Sequence, residues 1–277
     1  MTDIKLDYFT LLSPDPIYIN GVGSVKSPTL REISGLENKV NTYCFYINLF
    51  LLTIKEYYDG FEKENTIFSY YPKELKNKML SLKKQYDEIF QDSKDEITFF
   101  NYLIHDDILR FEILNALNFF IVEDVRFDEK NLVYLIYDRI KTQNPIGIIH
   151  SKNYSDVVDI ILQRVNIENK KKDENLPKVK NKIAEKLLAK MNKSELHIKS
   201  KNDEKMSIAN IISSLASHHP TLNITNIWDI TIYQLYDQFS RTQLNDAYNL
   251  LSTRVSFWGD KENKFDDSLW LSLLNKK

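Results

Sequence analysis

Through most of the chain, apolar residues recur at three- and four-residue steps, a spacing that places them on one side of a helix. From Glu37 to Tyr58, Val40, Tyr43, Cys44, Ile47, Leu51 and Ile54 follow this rule and predict one continuous helix. Pro72 opens another, with Leu75, Met79, Leu82, Tyr86 and Ile89 or Phe90 on one face and lysines opposite. Glu96 to Val122 is apolar enough to form one or two central helices, and Tyr154 to Val165 predicts a helix with Ser155 as a possible cap. Ser27-Pro28 offers an N-cap followed by proline at the first helical position, so SPTLREI predicts a helix ended by Gly35. In two places the pattern changes to that of strands. Ile17-Tyr18-Ile19, a two-residue turn at Asn20-Gly21 and a return over Val22–Ser27 predict a β-hairpin. VRFDEKNLVYLIY, Val125 to Tyr137, reads as a second hairpin turning at Asp128–Asn131.

The aromatic residues divide the chain. Phe, Tyr and Trp make up 12% of it, yet none lies between Tyr154 and Trp228. Within that gap, Asn166 to Met206 carries twelve lysines and seven acids. Such a composition buries too little apolar surface to offset the entropy of ordering it, so a flexible linker is expected there. A short helix is possible at Ile183, Leu187, Leu188 and Met191. The expected organisation is therefore mainly α. An N-terminal helical domain with a small β-hairpin covers 1–166, a Lys-rich linker 167–206, and a C-terminal helical module 207–277.

In that module, SIANIISSLASHH predicts a short helix ended by Pro220. Thr231-Ile-Tyr-Gln234 has the form of a capping box and opens a long helix. Ile232, Leu235 and Phe239 mark one of its faces; Tyr233, Tyr236, Leu244, Tyr248 and Leu251 mark another. A helix apolar on two sides needs cover on two sides, which points to an interaction surface. Trp228, Tyr233, Tyr236, Phe239 and Tyr248 are the candidate partner-binding residues, because buried aromatics dominate interface energies.

Composition narrows the chemistry. A formal net charge of −2 argues against a nucleic-acid binder, and the acids among the linker lysines argue the same. Cys44 is the single cysteine, so neither a disulfide within the chain nor a cysteine metal cage is expected; its apolar surroundings predict a buried, inert thiol. The N-terminus lacks the apolar segment of a secretory signal, and Tyr43 to Ile54 is too short to span a bilayer, so no membrane partner is expected and a cytoplasmic location is. Gly21-Val-Gly23 suits a hairpin turn better than a dinucleotide loop. His105-Asp106-Asp107 lacks the earlier histidine a metal phosphohydrolase needs, and Asp106 or Asp107 reads as a helix cap. Adjacent His218 and His219 diverge by about 100° on a helix and cannot share a metal without ligands from elsewhere. No catalytic residue, metal site or cofactor is expected, and the chain reads as a non-enzyme.

Three stretches carry a family resemblance: Gly21 to Ile33, Ile227 to Phe239 with the later Trp258-Gly259, and Gly147 to Leu162. Together they resemble tail-assembly proteins from phages and prophages of low-GC Gram-positive bacteria. The resemblance implies a tail-assembly chaperone in the bacterial host cytoplasm that binds the tape-measure protein and prevents its aggregation, with homo-oligomers possible. It also implies no catalytic residues. The chain is longer than the commonest members, with both modules in one polypeptide. A structural subunit of a phage tail or baseplate, or a helical adaptor unrelated to phage, are the alternatives.

Overall fold

The computed structural model describes residues 4–89, 98–140, 143–167, 206–260 and 265–272. Most of the expected linker, with its possible helix over Ile183–Met191, lies outside the described residues. The chain forms two compact units: one from Met1–Pro28 and Gly35–Glu168, the other from Thr29–Ser34 and Asn169–Lys277. Residues 29–34, placed by the sequence pattern in the N-terminal domain, thus group with the C-terminal unit.

In the first unit, helix α1 (Tyr8–Leu12) precedes the hairpin of β1 (Ile17–Ile19) and β2 (Gly23–Val25). Pairing of Ile19 with Gly23 leaves a three-residue loop, where the sequence predicts two. The reason is backbone geometry. Gly21 and Gly23 hold φ at 74° and 128°, and the Val22 amide closes the turn on the Ile19 carbonyl at 3.0 Å. Val22 is thereby buried within the turn instead of extending the strand.

SPTLREI forms helix α2 (Leu30–Ser34), which belongs to the second unit. Its cap is Thr29, not Ser27. The Thr29 hydroxyl accepts from the Glu32 amide at 3.1 Å, while the Glu32 carboxylate accepts from the Thr29 amide at 2.8 Å.

The single helix predicted over 37–58 is two: α3 (Val40–Leu51) and α4 (Ile54–Asp59). Leu52 turns to extended backbone, and Thr53 restarts the chain with a capping box to Glu56. Lys39, just before α3, is exposed and sits at φ 51°, ψ −123°, a region that glycine tolerates and other residues avoid. Lys39→Gly is expected to raise stability by about 1 kcal/mol in urea unfolding. Lys39→Ala should leave it unchanged, and equal midpoints for all three chains would refute the strain.

Helix α5 (Lys73–Ile89) follows Pro72 as expected, with Met79 fully buried. Then come α6 (Phe99–Leu103) and α7 (Asp107–Phe120). The mainly α expectation holds in part: helices predominate, but with two antiparallel sheets the fold is mixed α/β. A second, three-stranded antiparallel sheet orders β3 (Asp124–Asp128), β4 (Val133–Tyr137) and β5 (Pro145–Ile149). Its β3–β4 hairpin is the one predicted over 125–137, while β5 was not predicted. Asn118 ties α7 to this sheet: its side-chain nitrogen donates to the Val125 carbonyl, and its oxygen accepts from the Val125 amide, both at 2.9 Å. The outer edge of β5 receives the first hairpin's turn, with the Ile148 amide donating to the Gly21 carbonyl at 2.9 Å. Gly147 permits that approach, since a Cβ there would lie 2.4 Å from the Val22 carbonyl oxygen.

Helix α8 (Tyr154–Arg164) completes the first unit. Arg164 is fully buried, and its guanidinium donates to main-chain carbonyls of Thr10 (2.9 Å), Ser13 (3.0 Å) and Asp15 (2.9 Å), with Leu11 at 3.4 Å. A second buried charge site is Asp106, which caps α7 by accepting from the Ile108 and Leu109 amides at 3.0 and 2.9 Å. It also accepts from the Tyr57 hydroxyl at 2.5 Å. Tyr57 lies within an aromatic cluster, edge-on to Tyr58, Phe61 and Phe68 at 4.9–5.1 Å.

In the second unit, helix α9 (Ile208–His218), capped by Ser207, packs on α10 (Ile232–Trp258). The capping box of Thr231 and Gln234 forms as the sequence predicts. No helix of the described residues is long and apolar enough to cross a membrane.

Candidate interaction surface

At 1.5 Å per residue, the 27-residue helix α10 is about 40 Å long. Its first turns are well covered: Ile232 and Leu235 are fully buried and Tyr233 is 3% exposed. From α9, Ile208, Ile211, Ile212 and Leu215 are buried. His218 at the end of α9 meets Asp246 of α10 at 3.1 Å, where both side chains are largely exposed.

Beyond this the same face carries Ser240, Gln243 and Ala247 before large apolar residues return. Leu250 is 73% exposed, Phe257 76% and Trp258 74%, and Leu251 is also exposed. At 100° per residue these four lie within one face about 120° wide, the face that also carries Ile232, Tyr233 and Tyr236 near the start of the helix. The same side of the helix is therefore buried at one end and bare at the other. Exposed Arg254 lies at the centre of this face, so the four apolar side chains flank a positive charge.

The tail returns to this helix. Arg241 donates from one guanidinium nitrogen to the Trp270 and Ser272 carbonyls at 3.1 and 2.9 Å, and the short turn Leu269–Leu271 packs on α10. Trp270 and Leu271 remain exposed, adding apolar area near the same helix.

The five candidate residues separate by burial. Tyr233 belongs to the interior. Trp228 is half-buried and donates its indole N–H to the Ile224 carbonyl at 2.8 Å. Tyr236 and Phe239 are half-buried, and Tyr248 is half-buried with its ring centroid 5.8 Å from that of Phe265. The sequence pattern misses Leu250, Phe257 and Trp258. The signal for them is Gly259, whose φ of 71° ends the helix after Trp258, seven residues beyond Leu251, the last face position the sequence pattern marks.

The other candidate chemistries resolve into structure. Asp106 is the helix cap described above. Burial, then the charges of Lys78 and Arg110, holds the His105 imidazole below its usual pKa. His219 accepts from the Thr221 and Leu222 amides at 3.2 and 3.0 Å, shaping the turn after Pro220. Cys44 is exposed, not buried as expected, and partial desolvation pushes its thiol pKa up, away from a reactive thiolate. Among the described residues, no group of three or more His, Cys, Asp or Glu side chains could hold a metal ion.

No curated protein and no solved structure matches the chain. A family model does match part of it, over a stretch that takes in α9 and α10 and leaves Thr29–Ser34 outside. The C-terminal part of the chain is thus similar to a domain of phage or prophage type: residues 199–275 match the family model described as the YomV second domain.

Proposed function

We propose that this chain is a phage-associated, non-enzymatic protein-binding factor. Its task is that of a tail-assembly chaperone, covering apolar helical segments of the tape-measure protein in the host cytoplasm until the tail tube polymerises. One observation carries the reading: the side of α10 that is buried near Ile232 presents Leu250, Leu251, Phe257 and Trp258 exposed at its other end, around Arg254. A client helix with apolar residues at the same spacing would lie along it, as amphipathic helices do in apolar grooves. The phage-type match over residues 199–275 supports this setting.

The pair Phe257→Ser and Trp258→Ser tests the surface. Both side chains are exposed, so unfolding stability should change by no more than about 0.5 kcal/mol each. Co-purified tape-measure protein should fall about 30-fold or more, the loss expected when aromatic anchors are removed. Undiminished recovery of the client would refute the surface. Quantitative mass spectrometry of lysates and purified particles tests the role. Abundance in lysate and absence from particles fits a chaperone, whereas fixed stoichiometry in particles would make the chain a structural tail subunit.

A further inference from the structure

The second unit is built from two separated parts of the chain, and its smaller part is held in the way a peptide ligand is held. Thr29 pairs antiparallel with Thr231 in an isolated β-bridge, and the Leu30 amide donates to the Ile230 carbonyl at 3.0 Å. Arg31 grips Asp229 with two guanidinium nitrogens, each at 2.8 Å from the same carboxylate oxygen. Leu30 and Ile33 are each only 2% exposed, and α2 packs on the short turn Ile227–Asp229. Main-chain pairing for position, apolar anchors for affinity and one ion pair for register are the ingredients of short-peptide recognition. The segment that supplies them lies outside residues 199–275, the stretch that matches the domain family.

We infer that the C-terminal unit is a docking module for the Thr-Leu-Arg-Glu-Ile segment, and that the segment's second user is another copy of this chain. Every copy carries both halves of the contact, so a module can bind the segment of its own chain or that of a neighbour. Residues 168–205 join the module to the first unit. Fully extended, that many residues reach on the order of 100 Å, so the chain connection permits either choice. Exchange of this kind links copies without any surface beyond the one already formed within each chain. It is independent of the client surface at the far end of α10.

A disulfide trap reads the exchange in the full-length protein. The Leu30-to-Ile230 bond beside them makes Thr29 and Thr231 a non-hydrogen-bonded antiparallel pair, for which Cα atoms are about 4.5 Å apart, close enough to be bridged. In a Cys44→Ser background, one chain carries Thr29→Cys and a second carries Thr231→Cys. Mixed and mildly oxidised, they should form a disulfide-linked heterodimer, in several-fold excess over any dimer from either chain alone. A chain bearing both substitutions should close within itself when dilute and form linked dimers when concentrated. In parallel, native mass spectrometry of isotope-labelled and unlabelled unmodified protein should show mixed-mass dimers that increase with concentration. A mixture with no excess dimer, or labelled and unlabelled protein that stay monomeric at every concentration, overturns the inference.

Discussion

Arg164→Leu is expected to lower the unfolding free energy by about 3–5 kcal/mol, a large share of the 5–15 kcal/mol typical of a domain. The guanidinium is fully buried and its terminal nitrogens reach the carbonyls of Thr10, Leu11, Ser13 and Asp15. Leucine fills part of the volume but leaves several part-buried carbonyls without their donor, and bonds from a charged donor are the stronger kind. Neighbouring Gln163 secures the same N-terminal segment, donating to the Ile4 carbonyl at 2.7 Å and accepting from the Leu6 amide at 2.9 Å. Loss of Arg164 should therefore release residues 4–15 first, visible as rapid amide exchange there and early proteolysis. Arg164→Lys should recover only part of the loss, because an ammonium cannot spread its donors across four carbonyls as a planar fork does. Urea unfolding decides the matter: a deficit below about 1 kcal/mol for the leucine variant would show that the carbonyls find water instead.

The second large effect is at Asp106. Asp106→Ala removes the cap of α7 and leaves the Tyr57 hydroxyl buried without its acceptor, a combined cost of about 2–4 kcal/mol. The Tyr71 hydroxyl lies beside the same carboxylate without meeting hydrogen-bond geometry. Burial raises the Asp106 pKa above its ordinary 3.8, while bonds from the Leu109 amide and Tyr57 pull it partly back. Burial, then the charge of Asp106, drives the Tyr57 pKa up as well, so the hydroxyl stays protonated and remains the donor. The sign of the pH dependence follows. A carboxyl whose pKa is higher folded than unfolded holds its proton where the unfolded chain has released it. Its stabilising contribution is full below 3.8 and declines as pH rises through the folded value. Asp106→Asn lacks this titration. The stability of the unsubstituted chain relative to Asp106→Asn should therefore be greatest in acid and shrink towards neutrality. A gap that widens as pH rises would contradict the assignment.

The sequence makes some of this fold readable and hides the rest for identifiable reasons. Local chemistry is legible: Thr231 and Gln234 form their capping box, Ser207 caps α9, and the turn near Asp128 sets the β3–β4 hairpin. The break at Leu52 is written in Thr53-Ile-Lys-Glu56, yet the apolar period runs straight through it and masks the cap. Strand β5 is harder, because a five-residue segment with glycine at its centre resembles a turn. Gly147 is there for a reason that local pattern does not contain, the close approach of the Val22 carbonyl. The candidate surface shows the same limit. Tyr233 and Trp258 are both large aromatics on one face of one helix, and their sequence contexts do not say which is covered. Cover comes from elements distant in sequence, and a spacing rule sees only neighbours.

Arg31 and Asp229 stand 198 residues apart, and this separation sets a clock on synthesis. At the ~5–20 residues per second of translation, roughly 10–40 s pass between the emergence of one and that of the other. Throughout that interval, the α2 segment stands on the nascent chain before the turn it packs on has been made. The first unit's sequence is complete well before then, so it can fold before the partner of Thr29–Ser34 exists. If copies exchange that stretch as inferred above, a finished module of another chain has this interval in which to take it first.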